Sequence, residues 1–354
     1  MTQTVLWWGN FDPEYSRNRI IRKAFCQLGW RISEYCPAKP RFSYVKARLK
    51  KLAKPDLIFV PCFCQKDIDA ALAFGRHHSV PVMIDPLISL YDSRVFERRT
   101  VAEDSVAAKR LLELETRTFS AADVVVADTE AHGRYFCETF AVAPSRIQVI
   151  PVSAEESVFD IAEQPNPEHE LVEVLFYGSF IPLQGVEVIV EAIRCYQGPA
   201  VRWCLLGGKN TECRAKAEQA LADNPSVAFE DDISYESLPQ RIRQADVLLG
   251  VFGESDKTAR VIPNKVYQSL ACGRAVISCD GPYPGALRQS NESGMVLVPA
   301  ANAVALAEAV AHLAADPSGL KEMGRQARLS YERYFSNDHV SAALAQALQK
   351  IVPA

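Results

Sequence analysis

The sequence has no run approaching the roughly 20 apolar residues that a membrane-spanning helix requires. Its first residues, MTQTVLWWGN, lack the basic start and long apolar stretch of a secretory leader. Neither a spanning segment nor a signal peptide is expected, and the reading is a cytoplasmic protein, soluble or at most attached to a membrane face. Charge bias is lacking as well: 39 Lys and Arg stand against 43 Asp and Glu, a formal net charge of -4. That balance exerts no global pull on nucleic acid, so no nucleic-acid partner is expected and any charge argument must be local. The ten cysteines include no CxxC pair, and several fall within apolar runs, which suits reduced core thiols. Cys62-Phe63-Cys64 places two cysteines on one face of a strand, where they read as packing residues and not as metal ligands. No DxD motif stands in a convincing context, because Asp67-Ile68-Asp69 opens a predicted helix. Neither a metal nor a cofactor is therefore expected.

What the chain does contain is alternation. Short apolar runs at residues 4–8, 56–61, 80–85, 124–127 and 147–151 predict strands, separated by helical patterns at 17–28, 68–77, 102–120 and 130–140. A second set follows, with strands at 172–177, 201–206, 227–230, 247–251, 275–279 and 295–298. Its helices fall at 185–195, 210–222, 237–244, 263–271 and 303–314. The polar, proline-rich segment 162–170, AEQPNPEHE, reads as the linker between the two halves. Helical patterns at 320–334 and 339–351, broken at 336–338, close the chain. The expected fold is α/β: two Rossmann-like, doubly wound domains, 1–165 and 166–335, facing a central cleft. The C-terminal segment 336–354 is expected to pack back on the first domain. Ligands of such sheets bind beyond the carboxyl ends of the strands.

Those carboxyl ends hold the chemistry. After the strand at 172–177 come Gly178, Ser179, Gln184 and Gly185, a turn that offers backbone N–H groups and a helix start to a phosphate. Such turns are common in α/β domains, so this one is weak evidence alone. The strand at 201–206 ends in Gly207 and Gly208, and the one at 227–230 leads into Asp232 and Ile233, whose backbone can meet a nucleobase. An acidic, solvated turn is the plain alternative there. The strand at 247–251 runs into FGESDKTAR and then RVIPNKVYQSLACGRAVISC. Asn264 and Gln268 share one helix face. Lys257, Arg260 and Lys265 gather near one helix start, an unfavourable place for cations unless they share an anion. That misplacement points to a bound phosphate.

Taken in order, YGSFIPLQGVEVIVEA, LLGG, ISYESLPQRIRQADVLLGVFG and IPNKVYQSLACGRAVIS resemble a family 4 glycosyltransferase of the GT-B fold. In the first half, VLWWGNFDPEYSRN, Asp85-Pro86, SLYDS and AADVVVADT resemble the acceptor-side domain of bacterial members that build polysaccharide or glycolipid. The resemblance implies retaining transfer from a UDP- or GDP-type sugar to a glycan or lipid-linked acceptor, without a protein nucleophile and without metal. The departing diphosphate is stabilised by charge while the acceptor hydroxyl attacks from the same face.

The sequence departs from the family pattern at telling places. Where many members carry a Glu-x7-Glu pair, this chain has Arg260 and Gln268. Gln268 keeps hydrogen-bonding capacity toward a ribose, whereas Arg260 cannot accept and suits the diphosphate. Ser179 and Gln184 replace the usual Arg and Lys after the first strand of the second domain. The positive clamp is thus expected to move to Lys257, Arg260 and Lys265, with Glu254 as a substitute sugar-contacting carboxylate. Arg260, Lys265 and Glu254 are the expected catalytic set. A degenerate partner subunit that binds nucleotide sugar is an alternative kept open by the missing glutamates. A sugar-nucleotide epimerase is another, though no acid/base set for it is evident.

In the first domain, Gly9 permits close backbone approach to the diphosphate, and Asp12, Arg17 and Asn18 follow in the next loop and helix start. Asp85 and Asp92 are expected near sugar or acceptor hydroxyls, Arg17 at a phosphate or simply at the surface. His132 reads equally well as structural or functional. Residues 41–54, RFSYVKARLKKLAK, form a basic amphipathic pattern with two readings: a solvated helix with its apolar face in the core, or a helix lying on anionic lipid. The first is the plainer.

Overall fold

The computed structural model describes residues 2–159, 170–289 and 293–351. Its contacts divide the chain into two units, Met1–Ser153 with Asn337–Ala354, and Ala154–Ser336. The division falls after Ser153, and most of the expected linker, residues 162–169, lies outside the described residues.

The first unit contains β1 (Thr4–Trp8), α1 (Ser16–Gln27), β2 (Arg31–Tyr35), α2 (Ser43–Leu49), β3 (Leu57–Val60), α3 (Ile68–His78) and β4 (Val82–Ile84). It continues with α4 (Val106–Ala121), β5 (Val124–Ala127), α5 (Glu130–Phe140) and β6 (Ile147–Val149). The second contains β7 (Val172–Tyr177), α6 (Val186–Cys195), β8 (Val201–Leu206), α7 (Glu212–Ala220), β9 (Val227–Glu230), α8 (Leu238–Gln244) and β10 (Val247–Leu249). After these come α9 (Asn264–Ala271), β11 (Ala275–Cys279), α10 (Gly285–Gln289), β12 (Met295–Val298), α11 (Ala303–Ala314) and α12 (Pro317–Tyr334). A last helix, α13 (Asn337–Ile351), belongs to the first unit.

Each unit is built on a six-stranded sheet, ordered β2-β1-β3-β4-β5-β6 in the first and β12-β11-β10-β7-β8-β9 in the second. Every strand pair is parallel. Parallel strands covered on both faces need apolar side chains on both, which is why β3 reads LIFV and β5 VVVA, all buried. Alternation along β1 sends Trp7 to one side, 4.9 Å from the Phe59 ring, and Trp8 to the other, 4.7 Å from Tyr35. The Trp7 side is closed by α1 and α13, which buries Val340, Leu344 and Ala347. In the second unit Phe176, Trp203 and Leu205 pack under α6 and α11. Ser105, Thr129, Thr211 and Asn302 cap their helices by accepting a backbone N–H in the first turn. Each such cap contributes about 1 kcal/mol.

Strand order reverses between β1 and β3 in the first unit and between β7 and β10 in the second. These are the topological switch points where the loops at the carboxyl ends part and a ligand finds room. Three local features differ from the sequence reading. β2 is an unexpected strand whose RISEY is mostly exposed at the sheet edge, so it lacks the apolar run that marks the others. Residues Asp92–Glu97 form a π-helical turn. In α2 one side, Ser43 and Ala47 with the partly buried Tyr44, packs on the core as the plainer reading expects, but Val45 and Leu49 form a second apolar face that is exposed.

Candidate active site

In the second unit, the loops after β7, β8, β9 and β10 close on one another through glycines. Gly178 follows β7, and a Cβ there would lie 2.5 Å from Nε2 of Gln184, whose side chain folds back so that Oε1 accepts the Ile181 N–H at 3.3 Å. Gly185 has φ +61°, and a Cβ would meet the Gly253 nitrogen at 2.5 Å. Phe252 and Gly253 donate their N–H groups to the carbonyls of Gln184 and Leu183, both at 3.2 Å, which lays the β10 loop on the β7 loop. Gly207, at φ +99°, leaves 2.3 Å between a would-be Cβ and the Gly178 carbonyl oxygen, and Gly208 abuts the Phe180 ring. These glycines therefore have a packing reason, independent of any ligand.

Arg214 of α7 donates to the carbonyls of Gly207 (2.9 Å) and Glu230 (2.8 Å), tying the ends of β8 and β9. Sequence reasoning missed it, because one arginine at a polar helix position looks like any surface cation. Asp232 accepts the Lys209 N–H at 3.3 Å, and its neighbour Ile233 is 39% exposed, an apolar face at the strand ends. Ser179 and Glu254 are exposed.

Helix α9 begins at Asn264, half-buried, with Pro263 at the cap position and no side-chain cap. Lys257 and Arg260 lie in the turn before it, closed by the Arg260 N–H on the Lys257 carbonyl at 2.9 Å. Lys257 is buried and Arg260 half-buried. Lys265, in the first turn, is only 6% exposed. Its Nζ stands 3.9 Å from the centroid of the Phe176 ring and has no hydrogen-bond partner among the described residues. Burial pulls its pKa well below the usual lysine value. The Tyr177 hydroxyl sits 3.1 Å from the Lys265 carbonyl oxygen and 3.0 Å from Oε1 of Gln268, one donor shared by two acceptors. That contact holds the Gln268 amide in place and turns its remaining N–H donors to other partners.

The first unit presents a different picture. Gly9 (φ +148°) is glycine because a Cβ would strike Sγ of Cys64 at 2.7 Å, so the close approach expected of a diphosphate is made by the protein itself. Asn18 donates to the Asp12 carbonyl at 2.7 Å and accepts from Cys62 at 3.2 Å, while the Asp12 carboxylate caps the Glu14 N–H at 2.9 Å. Arg17 is 1% exposed and stands neither at the surface nor open to a phosphate. Its guanidinium pairs with Asp85 at 2.8 Å and donates to the carbonyls of Ile150 and Pro151, stitching α1 across the ends of β4 and β6. Burial raises the Asp85 carboxyl, against the lowering effect of Arg17. Asp92 is 3% exposed beside Glu115, which accepts from the Ser89 hydroxyl and the Leu90 and Tyr91 N–H groups. Glu115 was legible in principle, as a lone acid four residues before Phe119 on the apolar stripe of α4. His132 pairs with Asp128 at 2.5 Å, both buried. Asp67, close to Gly9, is a buried carboxylate raised by burial, and its Oδ1 has no partner among the described residues. Among the described residues no group of three or more His, Cys, Asp or Glu could hold a metal ion.

Residues 172–316, most of the second unit, match the family model described as "Glycosyl transferases group 1". The whole chain matches GT-B glycosyltransferase structures, and the fold is GT-B. Sucrose-phosphate synthase from Thermosynechococcus elongatus is similar with a TM-score of 0.74 and 18% identity, over 99% of each chain. Anabaena HepE, solved in complex with UDP, is similar with a TM-score of 0.71 and 13% identity, over 99% of this chain and all of its own. The lipopolysaccharide outer core galactosyltransferase WaaB gives a TM-score of 0.68 at 12% identity, over 98% of this chain and 99% of its own. No curated protein sequence matches the chain.

Proposed function

We propose that the chain is a retaining glycosyltransferase, moving a sugar from a UDP- or GDP-type donor to the hydroxyl of a glycan or lipid-linked acceptor in cell-envelope polysaccharide or glycolipid synthesis. The observation that carries this reading is Lys265: a buried amine in the first turn of an eight-residue helix, with no hydrogen-bond acceptor among the described residues, beside the switch point of the second sheet. A diphosphate supplies the missing counter-charge and also meets the free N–H groups of the helix start. The similar HepE structures, solved with UDP and with UDP-glucose, support a UDP-type donor. Gln268 donates to the ribose, and the backbone at Asp232 and Ile233 receives the base.

In the proposed reaction the acceptor oxygen bonds to the anomeric carbon on the face from which the diphosphate leaves. As the bond from that carbon to the diphosphate breaks, a leaving phosphate oxygen takes the acceptor proton. Lys265, Arg260 and Lys257 stabilise the charge that develops there, and no step is assigned to a metal. Glu254, exposed in the β10 loop, is the carboxylate available to the donor sugar. Contacts to the acceptor are assigned to the first unit, with Asp12 the most open of the candidate residues there. A second reading, a nucleotide-sugar-binding partner subunit without turnover, is favoured by Arg260 and Gln268 standing where glutamates occur in relatives.

A panel of UDP and GDP sugars tests both readings, with binding followed by calorimetry and release of nucleoside diphosphate followed with glycan and lipid acceptors. Turnover supports the transferase; binding without turnover against every acceptor supports the partner subunit. Absence of any nucleotide binding contradicts both.

A further inference from the structure

The short helix α2 and the turn before it present an apolar stripe to solvent. Phe42, Val45 and Leu49 are 52%, 54% and 77% exposed, and their spacing of three and four residues sets them along one helix face. The opposite face is accounted for: Ser43 and Ala47 are buried, Tyr44 and Leu52 pack on the first unit's core, and the Tyr35 hydroxyl donates to the Ser43 carbonyl at 2.8 Å. The same segment carries Lys39, Lys46, Arg48, Lys50, Lys51 and Lys54, all exposed. No Asp or Glu occurs between Cys36 and Pro55. None of the six is in an ion pair among the described residues, in a chain whose overall charge is -4. A merely solvated helix would not expose three large apolar groups in line. A partner protein would be expected to offer carboxylates at defined points, whereas this run of long, exposed cations is diffuse.

We propose that α2 is a membrane-contact surface, with Phe42, Val45 and Leu49 entering the headgroup–acyl boundary of an anionic bilayer and the six cations lying over its phosphates. The surface sits beside the carboxyl edge of the first sheet, since β2, which leads into it, ends where the Tyr35 carbonyl accepts the Gly9 N–H at 3.1 Å. An acceptor carried in the same bilayer would thus be presented to that edge. The proposal stands on the exposed stripe and its charge, independent of the transferase reading.

Co-sedimentation of the full chain with phosphatidylcholine vesicles, with and without phosphatidylglycerol, tests it. Binding is expected only with the anionic lipid and is weakened by salt. Val45→Glu with Leu49→Glu lowers the partition coefficient about tenfold or more, and Lys46→Ala or Lys50→Ala about fivefold each. These positions are exposed, so melting curves should match the parent chain and confirm folding. Failure to bind anionic vesicles, or equal binding by folded variants, overturns the proposal. So does a stripe variant that turns a dimer into a monomer while vesicle binding stays unchanged, because the stripe is then covered by a second copy.

Discussion

Lys265 sets a cost and an opportunity in the same side chain. An ammonium stripped of water, beside the Phe176 and Tyr177 rings and with no hydrogen-bond partner among the described residues, loses more hydration than a cation–π contact returns. Its folded pKa is therefore depressed below the unfolded value of about 10.4. Between those two values the unfolded chain holds a proton that the folded chain does not, so stability rises with pH across the window. Lys265→Met removes the penalty and should stabilise the free protein by about 1–2 kcal/mol at neutral pH. The gap should narrow toward pH 10, as read from denaturant melts of both proteins at the two pH values. A lysine with an ordinary structural partner would give the opposite sign. Arg17 shows the contrasting solution: equally buried, it meets the Asp85 carboxylate and two carbonyls and leaves no comparable vacancy.

Among the elements, the β7 and β10 loops are fixed by contacts too short for any side chain, and Gly185 is where they meet. Gly185→Ala forces a Cβ against the Gly253 nitrogen at a left-handed φ and should move both loops. Expected are a stability loss of about 1–3 kcal/mol and a nucleotide affinity reduced further than stability alone explains, measured by melting and titration together. The strands and long helices were legible in the sequence because parallel sheets buried on both faces demand continuous apolar runs such as VLFY and AVIS. β2 was not, because an edge strand can be as polar as RISEY. Site residues divide the same way. The cations before α9 stood out by sitting at the wrong end of a helix dipole. That Gly9 faces Cys64, that Arg17 is a buried stitch, and that Arg214 holds two strand ends depend on contacts between segments far apart in sequence, which no spacing rule records. For α2 the pattern was visible but its orientation was not: amphipathicity says that two faces differ, and only packing decides which one is covered.

At the scale of the whole molecule, the two units reach one architecture by different strand orders, each with a switch point that gathers its loops at the carboxyl edge. Sequence identities of 12–18% to structures spanning nearly the whole chain indicate how little of that architecture depends on particular residues. Function, by contrast, rests on a few. The most direct test of the central claim is a calorimetric titration of UDP and GDP into the parent chain and into Lys265→Met. The account predicts binding of one nucleotide to the parent, with proton uptake as the diphosphate restores the charge on Lys265, and affinity at least about tenfold weaker in a variant that is itself more stable. Equal affinity in both proteins, with no proton taken up, would contradict it.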